Sequence, residues 1–212
     1  MFDIDRICPA LRAVDAAFED IREEARAVLA DRESVPVYHD VDPEQHCISA
    51  VTPHDWRVYY LWIMGLRAEP NATRCPRTTA ALERVPGLFQ AHFSVLDPGK
   101  SIPAHRGPYA GYLRYHLAVE VPSADPPHLR IADHVHTWKE GESVLFDDSH
   151  EHEVVNTAAE RRVVLIVDVA RPMPVTQRIA HRVATRIARE VYGKSVLRRA
   201  EERAATLGPA GP

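Results

Sequence analysis

Apolar and polar positions alternate with a period of two through the middle of the chain, and helical spacing appears only toward its two ends. In YLRYHLAVEV, Tyr112, Arg114, His116 and Ala118 share one face, while Leu113, Tyr115, Leu117 and Val119 share the other. In RRVVLIVDV, Arg162, Val164 and Ile166 lie opposite Val163, Leu165 and Val167. Arg162 is the polar member of an otherwise apolar row, and a charge there needs an anion. Trp56, Val58, Tyr60 and Trp62 alternate in DWRVYYLWIMG as in a strand with one buried face, with the aromatics serving as core. Another strand is expected around Phe93 to Leu96. The turns DPG, HRGP, PSADPP and KEGE divide short strands with no helical period from about 89 to 170, which predicts an antiparallel double-sheet barrel of the jelly-roll kind.

The flanks read differently. Residues 9 to 31 predict one amphipathic helix on the outside of a sheet, with Pro9 in its first turn and Leu11, Val14, Phe18, Ile21, Ala25 and Val28 at helical spacing. From Glu33 to Pro53 there is little periodicity, which suggests a loop-rich approach contributing to substrate binding. Arg77 to Val85 suit a short helix ended before Pro86 and Gly87. Beyond Pro174, Ile179, Val183, Ile187 and Val191 recur at four-residue steps in an arginine-rich helix. The expected organisation is one domain over 1–173, with a core at about 56–172, followed by a basic amphipathic helix and tail over 174–212.

Composition narrows the class. At 212 residues, 45% hydrophobic and 26% charged, the chain suits a single globule with a substantial core. The net charge of -4 gives no reason to expect nucleic acid. Cys8, Cys47 and Cys75 form no CxxC pair and fit a reducing interior. The N-terminal stretch has acids where a signal peptide wants bases, so a cytoplasmic location is expected. Residues 174 to 212 hold eight Lys or Arg against three Glu, a net +5 that leaves -9 on residues 1 to 173. Such a helix docks on the acidic body, forms a dimer contact, or lies peripherally on an anionic membrane surface.

Two histidines carry the candidate chemistry: His105 in PAHRGP and His152 in FDDSHEHEV. Imidazole suits iron, zinc, copper and nickel alike, so the pair does not name its metal. An arginine on the strand after the second histidine suits a carboxylate co-substrate, because the guanidinium fork pairs with carboxylate in bidentate fashion. His150 sits two residues before His152 and is expected to share its strand face and line the site. His134 and His136 are open to a solvent-side or substrate-side role, and His39, His46 and His54 show no ligand spacing.

From about Trp56 to Pro172 the chain resembles the aspartyl/asparaginyl β-hydroxylase family of Fe(II)/2-oxoglutarate-dependent oxygenases. FSVLDPG, HRGP, LRYHLAV, TWKEGESVLFDDSHEHEV and RRVVLIVDVARP carry the resemblance in that order. It implies a mainly β fold with flanking helices, a double-stranded β-helix of the jelly-roll, cupin-like kind. It implies that His105 and His152 bind iron and that Ser94, Arg114, His116 and Arg162 hold 2-oxoglutarate. Asp148 falls where the family has an acidic residue near the metal. The implied reaction consumes dioxygen and 2-oxoglutarate, with ascorbate as a stimulant, and hydroxylates an unactivated carbon.

The departure is at Gly107. Many 2-oxoglutarate oxygenases place a carboxylate ligand two residues after the first histidine, and here that position has no side chain. The family's animal aspartyl hydroxylases also show glycine there. The bacterial lipid hydroxylases that HRGPYAGYLRYHL and ARPM resemble commonly keep an aspartate. The expected substrate is therefore the β-carbon of an aspartyl or asparaginyl residue, free, in a peptide or carrier-bound. The alternatives are the 2-position of a lipid acyl chain, a halogenation that uses the vacant position, and a non-enzymatic cupin-like module binding metal or 2-oxoglutarate.

Overall fold

The computed structural model describes residues 1–32 and 35–205. The expected tail beyond Ala205 and part of the Glu33 to Pro53 stretch lie outside the described residues. Ten strands are described: β1 (Trp56–Ile63), β2 (Leu66–Arg67), β3 (Leu88–Leu96), β4 (Ile102–His105), β5 (Tyr112–Glu120), β6 (His128–Ile131), β7 (His134–Thr137), β8 (Ser143–Phe146), β9 (His152–Val155) and β10 (Arg162–Ala170). They form two antiparallel sheets, ordered β2-β1-β3-β10-β5-β8 and β4-β9-β6-β7. This is the antiparallel double-sheet barrel expected from the turn-divided alternation, in the double-stranded β-helix form that the resemblance implies.

The larger sheet is buried on both faces. Toward the smaller sheet, Val58, Tyr60, Ala118, Val164 and Ile166 meet Ile102, Leu129, Ile131 and Val154. On the other side, Tyr59, Phe93, Leu113, Tyr115, Leu117, Val163 and Leu165 are covered by Leu11, Val14, Ile21, Ala25 and Leu29 from the N-terminal helices. The face assignments for β5 and β10 hold. The single buried face expected of β1 does not, because the helices cover its outer side and all eight of its residues are buried. A bulge between Tyr60 and Trp62 also breaks the expected alternation, turning Trp62 to the helix side with Tyr59 and Leu61.

The helix expected over residues 9 to 31 is divided into a 3-10 turn at Pro9–Leu11, a short helix at Arg12–Ala16 and α1 (Phe18–Val28). The break falls at Ala17, where no proline or glycine signals it. α1 is fixed to α2 (Pro76–Leu82) by the buried Glu24. Its carboxylate accepts from the Arg77 and Thr78 backbone N–H groups, both at 2.8 Å, at the positive end of α2.

At the other end, α3 (Val175–Ala188) runs through a π-helical turn at Arg189–Gly193 into α4 (Lys194–Ala205). The π-helical turn and α4 are bonded to the body, while α3 itself buries no residue. Arg189 Nε donates to the Met64 carbonyl at 2.8 Å, Arg199 Nε to the Val41 carbonyl at 2.7 Å, and the Tyr192 hydroxyl to Asp42.

Candidate metal and co-substrate site

His105 and His152 are direct partners in the β4–β9 ladder. Residues opposite each other in such a ladder project from the same face, and the two rings lie 4.2 Å apart, centroid to centroid. His105 Nδ1 reaches the Pro103 carbonyl oxygen at 2.8 Å, and His152 Nδ1 reaches that of His150 at 2.9 Å. A carbonyl only accepts, so each Nδ1 carries the proton and each Nε2 keeps its lone pair. Burial lowers the pKa of both rings, His152 to about 3 with the neighbouring His105 contributing. Two neutral, tethered imidazoles with free Nε2 atoms fit a divalent cation.

Among the described residues, no group of three His, Cys, Asp or Glu side chains is arranged to hold a metal. Gly107 shows why a third ligand is missing from its usual place. A Cβ there would stand 2.4 Å from Asp148 Oδ2 and 2.6 Å from Oδ1. The Asp148 carboxylate, fully buried, fills the space that a side chain at 107 would need. It accepts from the Tyr112 hydroxyl at 3.1 Å and faces Arg114 Nη1 at 3.2 Å, while Oδ1 has no protein partner. Burial pushes its pKa up to about 6, against the pull of Arg114.

Arg114, expected to help hold the co-substrate, lines the cavity and is paired with two carboxylates of the chain. Its Nε and Nη2 donate to the two oxygens of Asp168, both at 2.8 Å, in a bidentate fork. With Nη1 facing Asp148, all three guanidinium nitrogens already meet carboxylates.

Arg162 is the opposite case. It is 1% exposed, and among the described residues no carboxylate approaches it. Its Nη1 lies 3.4 Å from both the carbonyl and the hydroxyl oxygen of Ser94, its Nε has no partner, and its guanidinium lies 4.6 Å from the Trp138 ring centre. Burial lowers its pKa to about 9, which leaves it charged at neutral pH. His116 is buried against Trp138 and Phe146 with neither ring nitrogen bonded. Ser94 Oγ accepts from Trp56 Nε1 at 3.0 Å. Ser94, His116 and Arg162 therefore form a compact group with one uncompensated positive charge and several unused donors.

A cavity of about 670 Å³ opens beside His105. Its wall is largely apolar, including Trp56, Tyr60, Ile63, Phe89, Tyr112 and Val196. The segment expected to approach the site does so through Tyr38, Asp42, Gln45 and Ile48. Trp56 and Tyr60, expected only in the core, also line it. His152, Ser94, His116 and Arg162 stand outside that lining, each 4% exposed or less.

His150 does not share the strand of His152. It precedes β9 in a turn, is exposed, and lies 3.8 Å from Asp147, away from the cavity. His134 is exposed on β7, and His136 is half-buried edge-on to Trp138. His92 was missed. It is 2% exposed, lines the cavity beside Tyr60 and has an unpartnered Nδ1, and burial lowers its pKa to about 3. Asp168, the partner of Arg114, was missed as well.

The fold and site are those of a double-stranded β-helix with a two-histidine candidate metal centre and a buried cation. The chain belongs to the aspartyl/asparaginyl β-hydroxylase family, whose model matches residues 15–172. It is 39% identical over 166 residues to an ornithine lipid ester-linked acyl 2-hydroxylase of Rhizobium tropici, covering 78% of this chain and 58% of that protein. It is 37% identical over 123 residues to the human aspartyl/asparaginyl beta-hydroxylase, covering 56% of this chain and 16% of that one. The chain thus matches just over half of the first relative and a small part of the second. A cupin family protein with a double-stranded β-helix fold from Methanocaldococcus jannaschii aligns with a TM-score of 0.33 at 20% identity, over 41% of this chain and 73% of that one.

Proposed function

We propose that this protein is an Fe(II)/2-oxoglutarate-dependent hydroxylase acting on a lipid acyl chain. Arg162 is the observation that carries the co-substrate assignment. A fully buried guanidinium without a carboxylate partner is costly unless an anion completes it, and it lies in one compact group with Ser94 and His116. In this reading the Nε2 atoms of His105 and His152 hold the iron. The distal carboxylate of 2-oxoglutarate pairs with Arg162 and accepts from the Ser94 hydroxyl. When bound, iron and 2-oxoglutarate supply the oxidative chemistry, in which dioxygen is consumed and succinate and carbon dioxide are released. The chain's own residues position and exclude. Asp148, held by Tyr112 and Arg114, leaves the side of the pair at Gly107 without a ligating side chain, and the aromatic wall keeps water from the target carbon.

The apolar cavity wall and the acyl hydroxylase among the relatives favour an acyl chain. Arg106 supports a second reading, an aspartyl or asparaginyl substrate. It lines the cavity, meets no carboxylate among the described residues, and donates only to the Ser149 carbonyl, at 3.4 Å.

The test is an anaerobic titration with Fe(II) and then 2-oxoglutarate, followed by air and an acylated lipid in detergent micelles. A visible charge-transfer band that decays with succinate release and a lipid product one oxygen heavier is expected. Absence of the band with iron bound overturns the Arg162 assignment. Oxygen incorporated into an aspartyl peptide and not into lipid selects the second reading.

A further inference from the structure

We infer that α3 is a docking surface for an anionic lipid bilayer. The helix has two unlike faces. His181, Thr185 and Ala188 are its less exposed positions, and Ala184, Thr185 and Ala188 line the cavity. The opposite face carries Val175, Ile179, Val183 and Ile187 at four-residue steps, exposed by 60%, 58%, 55% and 59%. No residue of α3 is buried. Four branched aliphatic side chains in one row on a solvent-facing helix make a contiguous patch rather than scattered surface residues, and such a patch marks an interaction surface.

The charges choose the occupant. Arg178, Arg182 and Arg186 follow the same four-residue step along one edge of the stripe, and α3 contains no acid. No ion pair is described for any of the three, and the nearest acid, Glu190, lies beyond the end of α3, where it feels Arg186 and is bonded to Lys194. A second copy of the chain on this face would bring the row of arginines against itself, since the same patch meets itself across a two-fold axis. An anionic headgroup layer offers each arginine a phosphate, while the aliphatic row enters the boundary of the acyl region. Among the described residues no helix is long and apolar enough to cross a membrane, so the contact is with the surface.

The placement gives the contact a use, and here the inference rests on the acyl-chain reading. α3 lies between the proposed bilayer surface and the cavity, so an acyl chain leaving the contacted leaflet has to pass only the width of one helix, about 10 Å, to reach the cavity wall. The stacked pair of Tyr109 and His181, with centroids 5.6 Å apart, ties the same helix to the loop that follows His105.

The experiment is co-sedimentation of the full chain with vesicles of phosphatidylglycerol and phosphatidylcholine, against phosphatidylcholine alone. Binding to the anionic vesicles that weakens with salt is expected. Ile179→Asp with Val183→Asp should abolish it, and replacing Arg178, Arg182 and Arg186 by Gln should weaken it roughly 100-fold. All five side chains are exposed and outside the cavity lining, so the melting temperature and 2-oxoglutarate turnover should stay as in the parent. No binding, or binding indifferent to both sets of changes, overturns the proposal. So does a dimer, seen by analytical ultracentrifugation, that Ile179→Asp dissolves. Vesicle binding without acyl oxygenation sinks the acyl-chain reading alone, and acyl oxygenation in micelles without vesicle binding sinks the docking surface alone.

Discussion

The carboxylate of Asp148 stands where the side chain of residue 107 would have to be, with a Cβ on Gly107 placed 2.4 Å from its Oδ2. The carboxylate cannot simply swing aside, because the Tyr112 hydroxyl and Arg114 hold it. Gly107→Asp is therefore expected to destabilise the protein by about 1–3 kcal/mol through overpacking and like charge. Adding Asp148→Gly should recover most of that loss and give the histidine pair a carboxylate neighbour. Denaturant unfolding of the two single variants and the double variant checks this, and strictly additive losses would mean that the two positions do not compete for one space.

Arg162 gives a prediction of opposite sign for stability and binding. Its charge is buried without a carboxylate, so Arg162→Met should leave the cofactor-free protein as stable as the parent or up to about 3 kcal/mol more stable. The same change should abolish 2-oxoglutarate binding in calorimetry. Arg162→Lys should retain the charge, lose the planar fork and weaken binding by an intermediate amount. A large fall in melting temperature for Arg162→Met would show that the guanidinium serves the apolar core instead.

How the sequence announces these residues follows from their periodicity. A period of two set Arg162, Val164 and Ile166 on one face, and the same step continued leads to Asp168, the partner of Arg114. Counting two back from Ser94 likewise reaches His92. Asp168 lies within RRVVLIVDVARP and His92 one residue before FSVLDPG, so the two-residue step places both on the site-facing side of their strands, while nothing local gives either a role. His150 misled for the complementary reason: a two-residue step means a shared face only within a strand, and β9 begins at His152. The part of the cavity wall contributed by Tyr38, Asp42, Gln45 and Ile48 was legible only as a stretch without periodicity. Nothing local in that stretch tells which of its side chains meet a sheet so distant in the sequence, or that β1 has helices on its second face.

Acid should unfold the metal-free protein early. In the unfolded chain His92 takes a proton near its ordinary value of 6.5, but in the fold burial delays protonation to about 3. Between those values the unfolded state binds the extra proton, so stability falls as pH falls, by up to about 1.4 kcal/mol per pH unit for this one group. His116, whose pKa is held well below the ordinary value by burial and Arg162, adds to the same slope. Unfolding free energies at pH 7, 6 and 5 should show a shallower decline in His92→Gln than in the parent. Identical slopes would remove His92 from the acid response.

The contact between Tyr109 and His181 should control how firmly α3 is held. The two rings are parallel within 6°, and the Tyr109 hydroxyl lies 2.8 Å from His181 Nδ1. Since no residue of α3 is buried, its apolar packing contributes little, and this contact is one of the specific ties between the helix and the body. Gly111 makes room for it, because a Cβ there would stand 2.2 Å from the Tyr109 ring. Tyr109→Phe keeps the stack and loses the hydrogen bond, while Tyr109→Ala loses both. Amide exchange across Val175–Ala188 should therefore quicken from the parent to Phe to Ala, with strands β3, β5 and β10 unchanged. Gly111→Ala should match Tyr109→Ala without altering the tyrosine itself. Equal protection of α3 in all four proteins would show that the turn at Arg189–Gly193 and α4 hold the helix without the loop.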